Sequence, residues 1–140
     1  MGVICSCGAI LNTTLFNIAF QLPEGVASGT ITYNVNVCQE RVESSNVTVN
    51  FGDGDPSFTL QSTNLVAVQC STQGDVCTIT ITGQGILEFE GNQQDVTFQL
   101  EFRVDETSEQ VSSFTIEGFG FQAEIAVLPP GTLTSFGCED

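Results

Sequence analysis

Asp95-Val96-Thr97-Phe98-Gln99-Leu100-Glu101-Phe102-Arg103-Val104-Asp105 alternates without a break: Val96, Phe98, Leu100, Phe102 and Val104 take one side of an extended chain, and Thr97, Gln99, Glu101 and Arg103 the other. Successive side chains of a strand point to opposite faces, so this segment reads as a strand with one face in a core and one in water. Residues 28–38 repeat the pattern, with Ile31, Tyr33, Val35 and Val37 against Thr30, Thr32, Asn34 and Asn36. The same period predicts strands at 15–21, 46–51, 57–61, 65–69, 76–82, 86–90, 113–127 (bent at Gly118 or Gly120) and 133–136. Gly, Asn, Asp and Pro clusters separate them, and no convincing amphipathic helix appears.

Eight or more short strands must hide their edges by closure or by packing two sheets. The expected fold class is therefore all-β, a jelly-roll-like antiparallel sandwich, with an immunoglobulin-like sandwich as the second choice although Trp is absent. Phe58, Phe89, Phe98, Phe102, Phe114 and Phe121 are expected to fill the interior. At 140 residues the chain is long enough for one such domain. It is divided here into an N-terminal connector arm over 1–11 and a β-domain over 12–140.

Seventeen acids against Arg41 and Arg103 give a formal charge of −15, which argues against nucleic acid or an anionic membrane as partner. The same charge makes copies of the chain repel, so self-association needs covalent bonds, apolar contacts or screening. No run approaches the ~20 apolar residues of a membrane span, and no ordinary export signal is expected at the N-terminus. There is no His and no Lys, which removes Ser-His-Asp and Cys-His catalysis. An enzyme is not expected, nor a cofactor.

The six cysteines are Cys5, Cys7, Cys38, Cys70, Cys77 and Cys138, an even count that in a small β-protein points to disulfides and an oxidising destination. Cys70 and Cys77 flank a polar turn and lie in phase with the apolar face. They can bond each other across a hairpin, or either can receive the thiol of a neighbour's arm. Cys5 and Cys7 point to the same side of an extended segment about 6.6–7 Å apart and must find partners elsewhere, on the same body or another. An arm of that length reaches up to about 36–40 Å. Zinc is a poor fit, because Cys-x-Cys is not its usual spacing, so no metal site is expected.

Other motifs have plain structural readings. Phe51-Gly52-Asp53-Gly54-Asp55-Pro56 resembles the turn of PKD-type sandwich repeats, and Asp53 with Asp55 falls short of the six to eight oxygens calcium takes. Glu88 and Glu90, with Glu101 on a neighbouring strand, raise a glycosidase-like carboxylate pair, but the aromatic platforms of such sites are lacking and a solvated acidic face is the simpler reading. Asn12-Thr13-Thr14 and Asn46-Val47-Thr48 fit the glycosylation sequon.

The Cys-bearing connector and Leu128-Pro129-Pro130-Gly131-Thr132-Leu133-Thr134-Ser135-Phe136 together resemble the endospore appendage subunits of Firmicutes, a small jelly-roll family that builds durable fibres. The connector pair of that family is adjacent, whereas Ser6 separates it here. The resemblance implies that each connector inserts into another subunit and is bonded there through Cys5 and Cys7, with Cys38, Cys70, Cys77 and Cys138 as candidate receivers. It also implies synthesis in the mother cell without a signal peptide, followed by release when that cell lyses.

The expected function is thus a structural subunit that polymerises head to tail into a disulfide-linked helical filament, extracellular or on a spore. Val3, Ile4, Ile10 and Leu11 would fill apolar sites on the neighbour. The partner is the chain itself, with an anchoring or tip protein besides, and without nucleic acid or membrane insertion. The rival expectations are a carbohydrate-binding or adhesive module and a viral surface jelly roll.

Overall fold

A computed structural model of the chain describes residues 6–22, 25–40, 45–52, 58–89, 91–105, 108–117, 121–123, 126–129 and 132–136. They form ten strands: β1 (Gly8–Leu22), β2 (Gly25–Cys38), β3 (Asn46–Phe51), β4 (Phe58–Gln73), β5 (Val76–Phe89), β6 (Asn92–Val104), β7 (Glu109–Ile116), β8 (Phe121–Ala123), β9 (Ala126–Leu128) and β10 (Leu133–Phe136). Every pairing is antiparallel. The all-β antiparallel class expected from the alternation is the one found.

The order of the strands is simpler than a jelly roll. β1 to β8 are neighbours in sequence order, and β8 also pairs with β1 through Phe20–Ala123 and Gln21–Gln122. This is a meander that closes on itself, without the crossings between sheets that a jelly roll requires. Closure removes most of the free edges that a ten-stranded open sheet would present.

The last wall of this barrel is a broken strand. β8 bridges β7 and β1, β9 then pairs only with β7, and β10 pairs only with β1 through the register Gly8–Phe136 to Leu11–Leu133. Residues 12–17 of β1 consequently have no strand on that flank among those described. Residues 8–11, expected in a free arm, are sheet residues: Ala9 and Leu11 are fully buried. The boundary drawn at residue 11 therefore does not exist as a structural division, because Leu11 is as deep in the core as Ile31.

Inward side chains fill the barrel. Tyr33, Phe98, Phe102, Phe114, Leu11, Ile31, Leu60, Ile79 and Ile81 are among the most buried, and no charged residue is buried among those described. An interior of this strand number is just wide enough for side chains to fill. Tyr33 on β2 meets Phe114 on β7 edge to face, 6.1 Å between ring centroids. Phe51 and Phe58, a cross-strand pair between β3 and β4, stack at 5.5 Å. Phe89 is only partly buried, and Phe121 is placed by its backbone alone.

Two expected breaks are absent. Residues 58–61 and 65–69 belong to one strand, β4, and 76–82 and 86–89 to one strand, β5, while residues 57 and 90 lie outside the described residues. The Gly83-Gln84-Gly85 run between the two expected strands is the inside of a bend in β5. The β4–β5 register shifts between Ser62 and Asn64 and again between Leu65 and Ala67, opposite these glycines. Bulges of this kind bend a strand and tighten its twist. A Cβ on Gly83 would lie 2.8 Å from Leu65 Cδ2 and 2.9 Å from Phe98 Cζ, so the glycine leaves room for the side chains of its two cross-strand neighbours.

Candidate functional site: the disulfide end of the barrel

Cys7 stands one residue before β1 and is buried. Its sulfur is bonded to that of Cys70 in the second half of β4, with the Cα atoms 5.8 Å apart and 63 residues between them in sequence. The backbone carbonyl of Cys7 accepts from the N–H of Gln39, 2.8 Å away, so the segment entering β1 is tied both to β4 and to the end of β2. The Ser6 N–H and hydroxyl both donate to the Glu40 carboxylate. Cys38, level with Gly8, donates its N–H to the Ser45 hydroxyl at 2.9 Å.

Cys38 and Cys77 are disulfide-bonded as well, and no described cysteine is free. Cys5 and Cys138 lie outside the described residues, as do Val3 and Ile4. Of the two alternatives for Cys70, the hairpin bond to Cys77 is not made, and Cys70 takes Cys7 of its own chain instead. The reason is register: the hairpin turns on Gly74 and Asp75, with Gly74 at φ +63°, so Thr72 faces Cys77 and Cys70 faces Ile79. The two thiols are diagonal rather than opposite, beyond the reach of a disulfide without backbone movement.

Of the proposed docking residues, Ile10 is 37% exposed whereas Leu11 is wholly committed to its own core. Leu11 cannot serve as an arm contact on a neighbour, because withdrawing it would uncover the base of β1 and its pairs Val35 and Leu133. Several other exposed apolar residues went unremarked in the sequence, Val26 and Ile86 among them. Phe16 is 71% and Val127 67% exposed. The β1–β8 register carried onward would set Phe16 opposite Val127 and Leu15 opposite Leu128. Burial agrees with that phase, since Leu15 and Leu128 are inside. Phe16 lies in the stretch of β1 that has no described strand partner on that flank, and Val127 lies on β9, which pairs with β7. A bulge between Leu15 and Ile18 places Phe16, and no local pattern announces it.

The carboxylates do not converge. Glu88 accepts from Gln93 Nε2 at 3.1 Å, while Glu101 is level with Thr80 and accepts from the Ser112 hydroxyl at 2.8 Å. Eight positions along β5 separate Glu88 from Thr80, roughly 26 Å at strand rise, far beyond the 5–10 Å that a glycosidase pair spans. Asp53, Asp55 and Glu90 lie outside the described residues. Among the described residues no three His, Cys, Asp or Glu side chains gather as a metal site. No described helix is long and apolar enough to cross a membrane.

A second surface feature lies across β4, β5, β6 and the end of β7. A shallow open groove is lined by Thr63, Gln84, Asp95, Thr97 and Glu117, and continues past Thr82, Gln99 and Thr115. The Glu117 N–H donates to the Thr97 carbonyl at 2.8 Å, extending the β6–β7 ladder by one bond at the groove floor. Hydroxyls, amides and two carboxylates make it a hydrogen-bonding surface. Comparison with protein families, with characterised proteins and with solved structures finds no match.

Proposed function

We propose that the chain is a structural subunit, without catalytic activity, that joins to copies of itself head to tail in a disulfide-linked fibre outside the cell or on a spore surface. The observation that carries this reading is the engagement of every described cysteine in a disulfide, with Cys7 at the mouth of β1 bonded to Cys70 on β4. Cys7 precedes Gly8, the first paired residue among those described, so exchanging the segment through Cys7 between copies costs its bond to Cys70, the hydrogen bond from the Gln39 N–H and the Ser6–Glu40 contacts while the described β1 ladder stays. The bond from Cys7 then joins one copy's mouth to the next copy's Cys70, the same contact made between chains rather than within one. Such an exchange is a low-cost route to assembly, and a heterologous one propagates. The arm of this mechanism ends at Cys7, not at residue 11.

The test is a denaturing gel of boiled protein with and without reductant. High-mass material that collapses to a 14.9 kDa band on reduction supports the fibre. Monomer in both lanes refutes it. A second reading, a binding module for polar ligands such as carbohydrate, is favoured by the Thr, Gln and carboxylate groove on β4–β7. It predicts saturable binding of a glycan that Thr97→Val abolishes, in a protein that stays monomeric.

A further inference from the structure

The charges of this barrel are segregated by wall. No Asp, Glu, Lys or Arg occurs in β1, β2, β3, β4 or β10, which are contiguous in the sheet. Every charged strand residue (Glu88, Asp95, Glu101, Arg103 and Glu109) lies on β5, β6 or β7. Elsewhere in the first half of the chain, charges fall in the connections between strands, at Glu24, Glu40, Arg41, Glu43, Asp53 and Asp55.

The outer face of the uncharged wall is a regular lattice. One row runs Asn12, Asn34, Thr48, Gln61 across β1 to β4. The next runs Thr14, Thr32, Asn50, Thr59. A third begins Thr134, Ile10, Asn36, Asn46 from β10 to β3. All but Ile10 carry a hydroxyl or an amide, and Thr14 and Thr32 are already joined at 3.0 Å. Amides and hydroxyls both donate and accept, so such a lattice is complementary to itself.

We infer that this wall, centred on Asn34, Thr48, Thr32 and Asn50, is the face on which a second copy of the chain docks, side by side. The inference rests on the fibre reading and adds its lateral contact. The argument for a copy as occupant is electrostatic. A body with a net charge of −15 meets its like only where carboxylates are absent, and this is the one broad wall that lacks them among the described strands. Packed sheets stand about 10 Å apart, so the carboxylates of β5–β7 lie more than one Debye length from the docking plane at physiological salt, about 8 Å, and within one at 0.01 M, about 30 Å. The five strands average about eleven residues, so at about 4.8 Å between strands and about 3.3 Å per residue the wall covers roughly 870 Å² of curved outer surface. A standard interface takes about 800 Å² per partner.

The test is sedimentation of the intact, oxidised chain at 10 mM and 150 mM NaCl, with two double variants of equal charge change. Non-covalent association should appear at 150 mM and weaken at least tenfold at 10 mM. Asn36→Asp with Asn50→Asp, both on exposed sites of the neutral wall, should weaken it at least tenfold at 150 mM. Gln84→Glu with Gln99→Glu, exposed on the acidic wall, should leave it within twofold. Association that strengthens at low salt, or that both variants weaken alike, overturns the inference. So does adsorption to an insoluble neutral polysaccharide that only the neutral-wall variant loses, with self-association unchanged. A reductant-sensitive ladder that persists when the neutral-wall variant sediments like the parent leaves the fibre standing and removes this face from it. Monomer at both salts and in both gel lanes removes both.

Discussion

The carbonyl oxygen of Gln61 lies 2.6 Å from where a Cβ on Gly85 would stand. Gly85 faces inward at the β4–β5 bend, and the atom it meets is backbone, which cannot rotate aside. Gly85→Ala should therefore cost about 1–3 kcal/mol, the range for overpacking a filled interior. At Gly83 the nearest atoms are the ends of the Leu65 and Phe98 side chains, so Gly83→Ala should cost less. Urea denaturation of the two variants checks the order, and equal midpoints would contradict the bend as described.

Cys7 and Cys70 close a long loop. In the chain-entropy account a bond across 63 residues restricts the unfolded state by about 4 kcal/mol. Cys7→Ser combined with Cys70→Ser should lower stability by an amount of that order while the far-ultraviolet spectrum keeps its β character. Loss of less than about 1 kcal/mol would mean that other contacts already confine the loop.

Tyr33 gives a pH signature. It is the single tyrosine, and burial pushes its phenol well above the usual value near 10. Above pH 10 the unfolded chain releases this proton while the folded chain keeps it, so the unfolded state binds fewer protons and stability falls as pH rises. The slope approaches about 1.4 kcal/mol per pH unit until the folded value is reached. Absorbance at 295 nm should stay flat past pH 10 and then rise together with loss of the fold. A tyrosine that titrates freely near pH 10 in folded protein would refute its burial.

Two phenylalanines should behave oppositely. Phe114→Ala removes a fully buried ring in contact with Tyr33 and should cost about 3–5 kcal/mol. Phe16→Ser, on a residue that is 71% exposed, should change stability by less than about 0.5 kcal/mol. Thermal melts of both variants decide it.

The alternation of 95–105 and 28–38 carried the strand class and the inward residues, because period two follows from backbone geometry alone. Strands 46–51 and 133–136 match the observed bounds. What local pattern could not supply was anything depending on a second strand. Glycines at 83 and 85 look alike whether they turn a chain or make room for the residues of neighbouring strands. Register decided the cysteines: moving the turn centre to Gly74 and Asp75 separates Cys70 from Cys77 and leaves Cys70 for Cys7, which no spacing rule links across 63 residues. The order of strands was equally hidden, since a meander and a jelly roll share the same alternation. Phe16 was missed because its exposure comes from a bulge against β2.

The pairing of β1 with β8 and β10 also sets a schedule. The ring cannot shut until residue 136 has left the ribosome, so β1, made before the other described strands, is among the last to find both of its neighbours. Contacts of such sequence separation are slow to form. Throughout synthesis β1 offers an uncharged, hydrogen-bond-hungry flank with no gatekeeping charge in Gly8–Leu22 to discourage a strand from another nascent chain. Concentration during synthesis, rather than the final stability of the barrel, then governs whether a chain closes on itself or on its neighbour.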